Sequence, residues 1–67
     1  MNVICKIYYK SGIASPVSIY KYDIMCGLSN TEIIERSLKD FKENSYKCII
    51  YKIEVYTEWN KRVEKYY

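Results

Sequence analysis

The sequence predicts a two-layer α+β domain, a three-stranded antiparallel sheet in the order 2-1-3 with one helix packed on one face, connected β-β-α-β. Three observations predict it. Three segments alternate along the chain with the period-two rhythm of strands. One segment, "GLSNTEII", carries helix-start chemistry and continues with apolar residues at helical spacing. The helix lies between the second and third strands, so those two run parallel and are best separated by the first, with the right-handed crossover such connections prefer.

The first strand is Val3 to Lys10. Val3, Cys5, Ile7 and Tyr9 form an apolar face, and Ile4, Lys6, Tyr8 and Lys10 a mixed one. "SGIASP" then reads as a loop punctuated by Gly12 and Pro16. The second strand runs from Val17 to about Met25. Lys21 and Asp23 point to water and Tyr20, Tyr22 and Ile24 inward, although Val17 and Ile19 disagree with that parity and suggest a bulge or an uneven face.

In the helix, Ser29 suits the N-cap and Glu32 sits three residues on, as in a capping box. Leu28 and Ile33 have the spacing of a hydrophobic staple, and Gly27 permits the turn. Ile34, Leu38 and Phe41 form the stripe that meets the sheet. Glu32–Arg36, Glu35–Lys39 and Lys39–Glu43 lie on the solvated side, and Asn44 suits a left-handed stop.

The third strand is "KCIIYKIEVYTEW". Ile49, Tyr51, Ile53, Val55, Thr57 and Trp59 read as its buried face, and Cys48, Ile50, Lys52, Glu54, Tyr56 and Glu58 as its other face. In the tail, Trp59, Val63 and Tyr66 or Tyr67 have helical spacing. A short final turn of helix, an extension of the strand and a frayed end all fit.

A chain of 67 residues is a single domain, residues 1–67, and buries only a modest share of its surface. The usual staples are missing. Cys5, Cys26 and Cys48 match no C-x-x-C spacing and there is no histidine, which argues against a zinc site. They read as reduced, packed thiols in a cytoplasmic protein. Oligomerisation is the expected source of further burial, so a homodimer is expected. The first ten residues lack the pattern of a secretion signal, and no apolar run reaches the ~18 residues that span a bilayer, so no membrane partner is expected.

Catalysis is hard to build from these residues. Histidine, the commonest acid–base group, is missing, the thiols have no imidazole partner, and the only glycines, Gly12 and Gly27, form no phosphate loop. The chain is read as a non-enzyme with no cofactor and no metal.

The net charge is +3, divided as +2 over residues 1–25, −1 over 26–45 and +2 over 46–67. That permits an anionic partner without demanding one. The nine tyrosines suit an interface or a base-stacking platform, and equally fit the coding bias of an AT-rich genome.

One helix covers one sheet face. The other would show Ile4, Lys6, Tyr8, Lys10, Ile19, Lys21, Asp23, Ile50, Lys52, Glu54 and Tyr56. Three readings remain for it. It is a solvated face, or a homodimer or partner-protein face anchored by Ile4, Tyr8, Ile50 and Tyr56, or a nucleic-acid or nucleotide platform in which tyrosines stack and Lys6, Lys10 and Lys52 hold phosphates. Asp23 and Glu54 count against the last. Trp59 and Arg62 form a hot-spot pair of residue types, while the parity of Trp59 also suits closing the core.

The strand, strand, helix, strand order at this length resembles that of phage inhibitors of uracil-DNA glycosylase, and Gly27-Leu28-Ser29 is similar to a helix start in that family. That family is strongly acidic and mimics DNA, whereas this chain is basic, so the resemblance implies no functional residue here. In genre the chain looks like the small phage-encoded inhibitors of host enzymes or defence systems. That implies a protein, often dimeric, that acts in the host cytoplasm by occupying a host protein.

Overall fold

The computed structural model describes residues 2–23, 27–45, 48–57 and 60–67. The elements in chain order are β1 (Asn2–Lys10), β2 (Val17–Asp23), α1 (Asn30–Ser45), β3 (Ile49–Tyr56) and β4 (Lys61–Tyr66). They form one four-stranded sheet in the order β2-β1-β3-β4, with every neighbouring pair antiparallel. The α+β class and the 2-1-3 core of the order stand. The three-stranded sheet and the final helical turn do not, because residues 61–66 form a fourth strand against β3. No helix among the described residues is long and apolar enough to cross a membrane.

Local chemistry explains the turns. Ser11 and Ala14 exchange backbone hydrogen bonds of 3.1 Å across the β1–β2 connection. Gly12, between them, has φ +64°, which suits the first central position of a type II′ hairpin turn. The Ser29–Glu32 pair expected at the start of α1 forms, with Ser29 as the cap. The Glu32 N–H donates to Ser29 Oγ at 3.2 Å, and Ser29 Oγ donates to Glu32 Oε1 at 3.1 Å. Gly27 has φ +68°, consistent with its place in the turn before the cap. No non-glycine residue among those described has a positive φ, and α1 continues through Ser45, so Asn44 does not make the left-handed stop. The β3–β4 connection is closed by Thr57 and Asn60. The Thr57 N–H donates to the Asn60 carbonyl at 2.8 Å, and the Asn60 N–H donates to Thr57 Oγ1 at 3.2 Å.

The core lies between α1 and the central strands. Val3, Cys5 and Ile7 of β1, Ile53 and Val55 of β3, and Ile33 and Phe41 of α1 are buried. The helix stripe is centred on Ile33, Ser37 and Phe41, with Ile34 and Leu38 half-buried beside it. That is a rotation from the expected Ile34–Leu38–Phe41 line. Ser37, small and fully buried, lies within that stripe. Its hydroxyl is paired there with the Tyr22 hydroxyl at 3.0 Å, as a buried polar group requires.

The β1–β2 register is unbroken from Asn2↔Asp23 to Tyr8↔Val17, so the uneven face of β2 is not a bulge. Val17 and Ile19 are simply exposed. A bulge occurs instead in β3. Tyr8 pairs with Lys52, and Tyr9 with Ile50, so Tyr51 is an extra residue and the parity of β3 reverses there. Ile50 and Cys48 therefore pack on the core side with Tyr9, while Ile49 is 70% exposed. This corrects the expectation that Ile49 and Tyr51 are core and that Ile50 belongs to the open face. Trp59, expected to close the core or anchor an interface, lies outside the described residues.

A candidate binding face

The face of the sheet away from α1 is built of cross-strand rows fixed by the registers. One row runs Lys21, Ile4, Tyr56, Lys61. The next runs Ile19, Lys6, Glu54, Glu64, and the third runs Val17, Tyr8, Lys52, Tyr66. Beyond the bulge, Tyr51 lies near Tyr8, with ring centroids 6.3 Å apart, and Lys10 Nζ is 5.9 Å from the Tyr51 centroid.

Glu54 is the unusual residue. No helix covers it, yet it is only 4% exposed. Its cover comes from its own neighbours on the face. Glu54 and Glu64 are direct cross-strand partners, an arrangement that is destabilising on its own. Two lysines offset it, one from each adjacent row. Lys52 Nζ lies 3.5 Å from Glu54 and 3.1 Å from Glu64. Lys61 Nζ lies 4.0 Å from Glu54 and 3.1 Å from Glu64.

The titration behaviour follows from this geometry. Burial alone would raise the Glu54 carboxyl, but hydrogen bonding from the Tyr56 and Tyr8 hydroxyls and the Lys52 charge outweigh it and hold it below the usual carboxylate range. Hydrogen bonding from Lys52, then from Tyr66 and Lys61, lowers Glu64 to about 2. Lys52 is raised in return, first by its bond to Glu64. Bonding to Glu54 pushes Tyr56 up to about 12 and also raises Tyr8. Glu54 and Glu64 are therefore ionised and Lys52 protonated at neutral pH.

The lysines also lie over aromatic rings. Lys6 Nζ is 5.0 Å from the Tyr56 centroid, and Lys52 Nζ is 5.2 Å from Tyr8 and 5.7 Å from Tyr66. Such contacts hold long side chains flat on the sheet.

Of the residues expected on this face, Ile4, Lys6, Tyr8, Lys21, Lys52 and Tyr56 are brought together by the rows, and Lys10 joins at one end through Tyr51. Ile50 leaves it. Arg62 is exposed and is the extra residue where the β3–β4 register shifts between Val55↔Val63 and Tyr56↔Lys61. Tyr51, Lys61, Glu64 and Tyr66 were missed. The three from β4 were hidden by the tail's helical spacing, and Tyr51 by the bulge. The exposed apolar groups lie around the charged centre rather than in it: Val17 and Ile19 on one side, Ile49 and Tyr66 on the other.

A concavity of about 320 Å³ lies between α1 and β4, floored by Ile34, Leu38 and Val63. Among the described residues no group of three or more metal-ligating side chains forms.

Fold and face together describe a small α+β domain with a self-neutralised, tyrosine-rich sheet face. No protein-family model, curated protein or solved structure matches the chain. The resemblance to phage inhibitors therefore has no support beyond the short Gly27–Ser29 stretch and the chain's size.

Proposed function

We propose that the protein is a non-enzymatic binding protein that acts by occupying another protein through its open sheet face, in the manner of small phage-encoded inhibitors of host enzymes or defence systems. The observation that carries this reading is the arrangement of that face. Charges at its centre are satisfied by one another, and tyrosines and exposed apolar residues surround them. A protein partner can cover such a surface without leaving an unpaired charge buried. The free thiols of Cys5 and Cys48 suit a reducing compartment such as the cytoplasm.

A nucleic-acid or nucleotide ligand is the rival. Lys6, Lys10 and Lys21 and the tyrosines favour it. Glu54 and Glu64 in the middle of the face oppose a phosphate chain crossing there.

The test is capture from host lysate with wild type and with the face variants Tyr66→Asp and Lys10→Ala. A protein retained by wild type and released by both variants, at unchanged thermal stability, supports the proposal. Capture that ignores both substitutions overturns it. Anisotropy with a labelled oligothymidylate at low salt addresses the rival. Binding that weakens steeply with salt and with Lys6→Ala would replace the protein-occupancy reading.

A further inference from the structure

The sheet has two edges, and they are built differently. At β4, Lys61, Arg62 and Lys65 and a register shift protect the edge, the devices by which proteins avoid unwanted strand pairing. At β2 there is no bulge and no proline within the strand, and Val17 and Ile19 are 42% and 52% exposed. Ile13, in the adjoining hairpin turn, is fully exposed.

The direction of the backbone groups of β2 can be read from one bond. The Tyr9 N–H donates to the Pro16 carbonyl at 3.2 Å. Antiparallel ladders alternate bonded and non-bonded pairs. Carried along the unbroken register, the bonded pairs are Ile7–Ser18, Cys5–Tyr20 and Val3–Tyr22. The N–H and C=O groups of Val17, Ile19 and Lys21 therefore point away from β1, at the free edge of the sheet. An extended strand is the structure that satisfies such a row.

We infer that β2 is a dimerisation edge: two copies of the chain pair antiparallel through β2 about a two-fold axis at Tyr20, joining their sheets into one of eight strands. This assignment stands whether or not the open face has a partner of its own. Pairing about Tyr20 sets Ile19 opposite Lys21 of the second copy and Val17 opposite Asp23. No like charges are directly opposed. The two Lys21 side chains meet only on a diagonal, from which they extend into solvent, while their stems cover the Ile19 side chains. On the helix side, Tyr20 faces its own copy and Ser18 faces Tyr22.

The groove beside this edge is also self-complementary. It is lined by Tyr22 of β2 and by Arg36, Lys39, Asp40 and Glu43 of α1, so its helix flank carries both signs of charge toward the other copy across the axis. A symmetric interface requires this property of a single surface. A short chain that buries a modest core also gains the most from such a contact.

The experiment is sedimentation equilibrium of the full chain over a range of concentrations, combined with amide hydrogen exchange. The expected mass is twice that of the chain, with the Val17, Ile19 and Lys21 amides protected increasingly as concentration rises. Ile19→Pro removes an outward N–H and leaves the bonds to β1 in place, so it is expected to give the single-chain mass. Tyr66→Asp on the open face is expected to remain dimeric. A wild type that keeps the single-chain mass at all concentrations overturns the inference, as does a dimer whose Val17, Ile19 and Lys21 amides exchange freely. A dimer lost in Tyr66→Asp but kept in Ile19→Pro places the interface on the open face and also overturns it. Should Ile19→Pro fail to fold, Ile19→Lys and the wild-type exchange pattern decide the matter. Failure of this edge would leave the capture experiment on the open face unaffected.

Discussion

Replacing Ile50 by glutamate tests the parity reversal in β3, on which the composition of the open face depends. Ile50 is half-buried against Tyr9 and the core, whereas its neighbour Ile49 is 70% exposed. Full burial of an isoleucine side chain stabilises by roughly 1.5–3 kcal/mol, so losing a half-buried one costs about 1 kcal/mol. Forcing a carboxylate against apolar neighbours adds roughly 1–2 kcal/mol after partial escape to water. Ile50→Glu is thus expected to destabilise by about 2–3 kcal/mol, and Ile49→Glu by less than about 0.5 kcal/mol. Domains of this size are stable by only ~3–10 kcal/mol, so the first change is large. It would lower the thermal midpoint by about 10–20 °C. Urea unfolding followed by circular dichroism measures both variants. If Ile49→Glu proves the more damaging, strict alternation holds through β3, the bulge at Tyr51 is absent, and Ile50 returns to the open face.

Three further outcomes follow from the same contacts. Tyr22→Phe leaves the buried Ser37 hydroxyl without its 3.0 Å partner and should cost about 1–2 kcal/mol, part of which Tyr22→Phe combined with Ser37→Ala recovers. Glu54 and Glu64 have folded pKa values below the ordinary carboxylate value. Their contribution to stability is therefore complete above about pH 4 and is lost as pH falls toward the Glu64 value of about 2. Urea midpoints at successive pH values should decline over that window in wild type and less steeply in Glu54→Gln and Glu64→Gln, and equal slopes would contradict the network. Tyr56, raised to about 12, contributes stability that is complete below the ordinary tyrosine range near pH 10 and is lost as pH rises through about 12. Spectrophotometric titration should show late-titrating tyrosines, with Tyr56 among them, that move to lower pH in Glu54→Gln.

Much of the fold was legible because local chemistry and global packing agree in most elements. The odd residues of β1, the Ser29–Glu32 pair at the start of α1, and the buried pair Ile53 and Val55 follow from alternation and helix-start rules alone. The failures have physical causes. β4 buries little apolar surface, with Val63 half-buried at its centre, so a strand held by pairing with β3 carried no period-two apolar signal. The Thr57–Asn60 connection contains no glycine and is closed by a threonine hydroxyl, which hid the hairpin. The bulge at Tyr51 changed parity within a run, Cys48 to Ile50, that is apolar on both faces and so could not report the change. Ser37 carried no core signal in the sequence, because a buried hydroxyl needs a partner and Tyr22 is distant in sequence. The open face was legible in its β1 and β2 residues, and the charge network was not, because half of it stands on the unrecognised strand.

The network constrains where recognition can occur. Lys52 is shared between two carboxylates and two rings, and Glu54 is enclosed by residues of its own face. A ligand charge directed at this centre would have to replace contacts already made, at a desolvation cost that recovers little. Specific contacts are therefore expected at the margins, where Lys10 and Lys21 have no carboxylate at ion-pair distance among the described residues and where Val17, Ile19, Ile49 and Tyr66 are exposed. Pairing through β2 changes the meaning of one margin. Val17, Ile19 and Lys21 lie at the rim of one chain but at the middle of the joined sheet. The two open faces then form one surface, with a partly apolar centre between two neutralised charge clusters. A partner spanning that centre would contact both copies. Its affinity would then depend on dimerisation, and Ile19→Pro would weaken capture without altering any residue of the charge network.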